Sequence, residues 1–251
     1  MADATLTHLV MLLDRSGSMQ SIKAATQEGF DAFLTEQRDT TGRCRVTLAQ
    51  FDDRYDEVYV DRDIADVPPL DLQPRGRTAL LDSIGRVVHT TADRIARLPE
   101  DQRPANVVVG IMTDGHENAS TEYTHAAVKA LVTEREEIDG WTFLYMGANQ
   151  DAIEVGASVG IPQSRSMTYS TGNVRAAYAA TSRAMTDMRG AVAAGAAPAA
   201  ARDLHAVYSD AERTAAAGPD VPAPRTTTSS GVPRGRALRP EVAPRGRDPR
   251  V

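Results

Sequence analysis

The sequence predicts a doubly wound α/β fold: a mostly parallel sheet with one antiparallel edge strand and helices on both faces. Three observations lead there. Apolar runs alternate with amphipathic stretches along residues 5–190, the order that builds strand–helix–strand units. Asn106 to Met112 is an apolar run of the kind buried on both faces in a central parallel strand. Polar clusters follow two of these runs directly, at the strand ends where open parallel sheets bind ligands.

Each element has its own signal. Leu6 to Leu13 reads as a buried strand. Ser21 to Gln37 places Ile22, Ala25, Phe30, Phe33 and Leu34 on or near one helical face. Arg43 to Phe51 alternates at period two, with Cys44, Val46, Leu48 and Gln50 facing one way and Arg45, Thr47, Ala49 and Phe51 the other. Asp56 to Val60 follows closely enough to pair with it as an antiparallel hairpin. A helix from Ala79 to about Leu98 carries Leu80, Leu81, Ile84, Val87 and Val88. After Asn106 to Met112 come a helix over Thr121 to Ile138, a strand over Trp141 to Met146 and a helix over Asp151 to Val159. A short strand over Ser166 to Tyr169 and a helix from about Asn173 to Arg189 complete the alternation.

Composition changes near Gly190, first to Ala-rich and then to Pro/Arg/Gly/Thr-rich sequence. Few large apolar side chains remain to offset the entropy of ordering such a segment. Residues 191–251 are therefore expected to form a mostly disordered tail. One short helix over 202–217 is expected within it, because Leu204, Val207, Tyr208 and Ala211 recur at helical spacing. From Arg225 onward seven arginines stand against Glu241 and Asp248, a local charge of +5 in a chain of net charge −6.

That acidic balance argues against nucleic-acid binding through the main body. The lone Cys44 excludes an intramolecular disulfide and a Cys-rich zinc site, and fits a reducing compartment. The early apolar run His8 to Leu13 lacks a basic flank and ends in Asp14, unlike a signal peptide. No apolar stretch reaches the roughly 20 residues of a membrane helix. A cytoplasmic protein with no membrane partner is expected.

Three polar clusters converge on one rim of such a sheet. Asp14-Arg15-Ser16-Gly17-Ser18 follows the first strand, Thr113-Asp114-Gly115 follows Asn106 to Met112, and Gly76-Arg77-Thr78 leads into a helix. Two carboxylates and three hydroxyls suit a hard cation. Mg²⁺, octahedral and retaining water, fits them best, with Mn²⁺ or Ca²⁺ as alternatives. Singly, each cluster has a plainer role: Ser18 or Ser21 as a helix cap, Asp114-Gly115 as a turn. Three clusters together on one rim favour the metal. His116 and Glu117 are expected as solvated loop residues near it. Arg75 and Arg77 flank the Thr78 loop, either as solvated side chains or as a lure for an acidic partner. His8, His89, His125 and His205 have no ligand spacing, and Trp141 is expected to pack in the core or at an edge.

These residues resemble the metal ion-dependent adhesion site of von Willebrand factor A domains, whose pattern is Asp-x-Ser-x-Ser, then a Thr, then an Asp. Asp14, Ser16 and Ser18 match the first element, Thr78 the second and Asp114 the third. The resemblance covers residues 5–190. It implies that Ser16, Ser18 and Thr78 contact the ion and that Asp14 and Asp114 hold its waters. The runs Leu13 to Met19 and Tyr145 to Asp151 look most like stand-alone bacterial and phage members of the family.

The function this implies is a metal-dependent interaction module in which a protein partner offers an Asp or Glu to the ion, without catalysis. One alternative is a Mg²⁺-dependent phosphatase or phosphotransferase using Asp14. Such enzymes resemble Asp-x-Asp at this position, and Ser16 stands where the second Asp would be. Another is an adaptor whose Arg234-Gly235-Arg236 and Arg245-Gly246-Arg247 segments bind nucleic acid or an acidic protein.

Overall fold

The computed structural model describes residues 3–148 and 151–218. Its strands are β1 (Asp3–Asp14), β2 (Arg43–Phe51), β3 (Tyr55–Asp63), β4 (Pro104–Thr113), β5 (Thr142–Ala148) and β6 (Ser166–Tyr169), in sheet order β3-β2-β1-β4-β5-β6. Every neighbouring pair is parallel except β2 and β3, which run antiparallel. Only Asp52 to Arg54 separate those two strands. So short a link permits a hairpin and forbids a parallel crossover.

The helices are α1 (Lys23–Asp39), α2 (Leu80–Arg97), α3 (His125–Ile138), α4 (Ala152–Ser158), α5 (Val174–Ala193), α6 (Pro198–His205) and α7 (Asp210–Ala217). Period-two alternation along the strands feeds a core on each face of the sheet. Leu9, Met11 and Leu13 pack with Phe30 and Phe33 of α1 and with Tyr178, Met185 and Met188 of α5. Val10 and Leu12 pack with Ile84, Val87 and Val88 of α2 and with Val128 and Val132 of α3. Along β2, Cys44, Val46 and Leu48 join the first core, while Ala49 and Phe51 join the second.

β1 and β3 run a few residues longer than expected, and three further differences bear on the site and the tail. The first helix is preceded by a 3-10 segment, Gly17–Ile22, which carries the Ser18 loop into α1. The helix expected from Thr121 starts at His125, because the Asp82 carboxylate takes the backbone N–H groups of Thr121, Glu122 and Tyr123 at 2.8–2.9 Å. The packed body also continues beyond residue 190, which lies inside α5.

The one helix expected over 202–217 is two, α6 and α7, with a Ser209–Glu212 capping box starting the second. Leu204, counted on an apolar face, is 71% exposed, whereas Ala201, Ala206, Tyr208 and Ala216 enter the core. Small alanines pack closely where a count of large apolar residues finds little to bury. Arg213 fastens α7 to the sheet edge, donating to the carbonyls of Ser166, Gln163 and Ser164, the last two at 2.8 and 3.1 Å. Covering β6 in this way closes one exposed edge. The Arg-Gly segments lie outside the described residues. Among those described, no helix is long and apolar enough to cross a membrane.

Candidate metal centre

The direction of connection reverses between β1 and β4: from β1 the chain moves to β2 on one side, and β4 lies on the other. The crevice above that seam is where such sheets hold ligands. Register places Leu13 beside Met112, so Asp14 and Thr113 end neighbouring strands side by side.

Asp14 is fully buried. Its Oδ1 accepts the Ser16 N–H at 2.6 Å and its Oδ2 accepts the Thr113 hydroxyl at 2.6 Å. Ser16 Oγ lies 3.0 Å from Ser18 Oγ, and Ser18 donates to Asp114 Oδ1 at 2.6 Å. Thr78, also buried, arrives from the second loop. Gly115 shows where these groups converge. A methyl group there would stand 2.7 Å from Thr78 Oγ1 and 3.5 Å from both Asp14 Oδ2 and Ser16 Oγ. The fold thus brings Asp14, Ser16, Ser18, Thr78 and Asp114 together.

Burial pushes the Asp14 carboxyl up to about 6, against hydrogen bonds from Thr113 and Ser16 that lower it. Burial likewise raises Asp114, opposed by the Ser18 hydroxyl. Two nearby carboxylates, one fully buried and one half-buried, gain from a cation between them. Among the described residues no group of three or more His, Cys, Asp or Glu side chains could hold a metal. Any ion here therefore draws on hydroxyl oxygens beside the two carboxylates, a donor set that fits a hard cation.

The loop after Asp114 clamps the Thr78 loop. Asn118 Oδ1 accepts the Thr78 N–H, and the Asn118 N–H donates to the Thr78 carbonyl, both at 3.0 Å. Glu117 accepts backbone N–H groups of Leu81, Ala119 and Ser120 at 2.7–3.0 Å. Burial alone would raise its carboxyl, but those bonds and the Ser120 hydroxyl hold it below the usual range. Glu117 is thus a strut from its own loop to the first turn of α2 and not the solvated residue expected, while His116 is exposed.

The arginines are engaged too. Arg77 donates to the Asn118 carbonyl, and Arg75 donates to Asp52 Oδ2 at 2.7 Å. The sequence reading missed Asp52, Asn118 and Asp82. Glu117-Asn118-Ala119-Ser120 carries residue types that bond locally to backbone, a signal that could have marked that loop. Asp52 had none: its partners Arg15 and Arg75 lie 37 and 23 residues away in sequence.

No family model and no curated protein matches the chain. Solved structures do. The chain is similar to proximal thread matrix protein 1 from the mussel byssus, with a TM-score of 0.50 and 15% identity over 70% of this chain and 45% of that one. It is similar to a mutant of the PilB minor pilin from Streptococcus sanguinis, with a TM-score of 0.50 and 9% identity over 76% of this chain and 64% of that one. A von Willebrand factor type A structure from Catenulispora acidiphila aligns with a TM-score of 0.47 and 14% identity over 75% of this chain and 43% of that one. The chain thus spans less than half the length of the mussel protein it matches. At these identities the likeness is one of fold alone, shared with the mussel and pilin structures.

Proposed function

We propose that the protein is a non-enzymatic, metal-dependent interaction module that binds Mg²⁺ through Asp14, Ser16, Ser18, Thr78 and Asp114 and, through the ion, a carboxylate of a protein partner. The convergence of Thr78, Asp14 and Ser16 at the bare Cα of Gly115, with Ser18 and Asp114 joined to them through Ser16, carries this reading. Three of the five donors are neutral hydroxyls, which leave the ion's charge less quenched than carboxylates would. An Asp or Glu brought by a partner then completes the shell. Mn²⁺ or Ca²⁺ could take the same oxygens.

The phosphoryl-transfer reading is less well supported. Both Asp14 oxygens are occupied by hydrogen bonds and the residue is fully buried, which suits a ligand holder better than a nucleophile. A cytoplasmic setting is part of the proposal, supported by the single buried thiol of Cys44.

The experiment is a calorimetric Mg²⁺ titration of the purified protein and of Asp14→Ala, Ser16→Ala and Gly115→Ala, paired with partner capture in Mg²⁺ against EDTA. Wild type should bind one ion, and each substitution should weaken binding at least about tenfold, or 1.4 kcal/mol, with the far-ultraviolet spectrum preserved. Equal affinity in Asp14→Ala and wild type would overturn the assignment of the site. Partner capture that persists in EDTA would overturn the role given to the ion.

A further inference from the structure

We propose that Asp52 is the charge-compensating residue of the metal centre: its buried carboxylate, shared by the Arg15 and Arg75 guanidiniums, offsets part of their positive charge and so preserves the site's affinity for a divalent cation. The inference rests on the reading of that site as a metal centre. Asp52 stands at the tip of the β2–β3 hairpin and is fully buried. Its Oδ2 accepts from Arg15 Nε at 3.1 Å and from Arg75 Nε at 2.7 Å, while Oδ1 accepts the Arg54 N–H at 2.7 Å. Arg15 falls between Asp14 and Ser16, and Arg75 closely precedes Thr78. The two arginines therefore belong to the two loops that carry four of the five candidate ligands.

Backbone bonds tie the same segments together. Arg15 N donates to the Phe51 carbonyl at 2.7 Å, Ala79 N to the Asp52 carbonyl at 2.8 Å, and Arg75 N to the Arg15 carbonyl at 2.8 Å. These bonds involve no side-chain charge and would survive replacement of the Asp52 carboxylate by an amide. What the carboxylate adds is chiefly electrostatic. Arg15 is 8% exposed, and charges so shielded from water and salt act at longer range than surface charges. Left uncompensated on the loops that carry the candidate ligands, both charges repel the ion, the shielded Arg15 more strongly than Arg75, whose side chain is 55% exposed. Asp56, the other acid reaching both arginines, has a side chain 53% exposed and is correspondingly better screened. Burial alone would raise the Asp52 carboxyl, but Arg75, the Arg54 N–H and Arg15 hold it below the usual range.

Charge compensation and simple loop bracing predict different results. Mg²⁺ affinity is measured by calorimetry at low and high ionic strength for wild type, Asp52→Asn, Arg75→Gln and the double variant, with unfolding midpoints in EDTA recorded alongside. Asp52→Asn should bind about tenfold more weakly than wild type, and the loss should shrink at high salt. Arg75→Gln should bind as tightly as wild type or tighter, and the double variant should recover most of the loss. Arg75→Gln binding about tenfold more weakly than wild type would mean a brace, and would overturn the proposal even if Asp52→Asn failed to fold. Unchanged affinity in Asp52→Asn would overturn it as well. Absence of Mg²⁺ binding by wild type would instead overturn the metal reading beneath it.

Discussion

The Thr113 hydroxyl donates to Asp14 Oδ2 at 2.6 Å, joining the last residue of β4 to the last residue of β1 across the seam of the sheet. The same Thr113 oxygen accepts the Gly115 N–H at 3.1 Å. One side chain thus fixes both the buried carboxylate and the turn whose missing Cβ leaves room for the converging oxygens.

Thr113→Val keeps the shape and removes that bond. Asp14 Oδ2 is then buried without its donor, at a cost of about 1–3 kcal/mol. Urea unfolding in EDTA at neutral pH should show this loss, and Mg²⁺ affinity should fall with it. An unchanged midpoint together with unchanged affinity would show that the hydroxyl contributes nothing to the site.

His8 gives the fold a defined weakness in acid. Its Nε2 lies 2.9 Å from Thr47 Oγ1 in the buried sheet, and burial pushes the imidazole from 6.5 down to about 4, with Asp61 opposing and Arg45 and Arg94 reinforcing. Between those values the unfolded chain binds the proton and the folded one does not. Stability from this group is therefore complete above pH 6.5 and is lost progressively toward pH 4, by about 3 kcal/mol. Nuclear magnetic resonance should find the His8 ring neutral at pH 5.5. Replacement by Gln should reduce the difference in unfolding free energy between pH 4.5 and pH 7.5. A ring that titrates near 6.5 would refute the assignment.

The segment after Gly190 is structural. Tyr208 is buried and its hydroxyl lies 2.9 Å from Thr181 Oγ1 on α5, while the Ser170 N–H donates to the Ala216 carbonyl at 2.9 Å. A chain ending at Gly190 should be less stable than one ending at Gly218 by at least about 3 kcal/mol, on the scale of removing a large buried aromatic. Chemical denaturation of the two truncations checks this, and equal midpoints would place 191–218 outside the cooperative unit.

The two kinds of information divide along a physical line. Period-two and helical spacing, the Asp-x-Ser-x-Ser run after an apolar strand and the short β2–β3 link are local, and each was legible in the order of residues. From them followed the doubly wound sheet, its antiparallel edge and Asp14, Ser16 and Ser18, while Thr78 and Asp114 came from two further polar clusters and from the resemblance to the von Willebrand factor A metal site. The tertiary structure decided what depends on residues far apart in the chain. It set Asp52 between Arg15 and Arg75, Asn118 against Thr78, Glu117 on Leu81 and Asp82 at the start of the 121–123 turn. It also drew the alanine-rich helices onto β6 and α5, where close packing of small side chains supplies what composition did not promise. A hydrogen bond or an ion pair between distant residues leaves no periodic trace in a sequence, because its geometry exists only after the strands have found their neighbours.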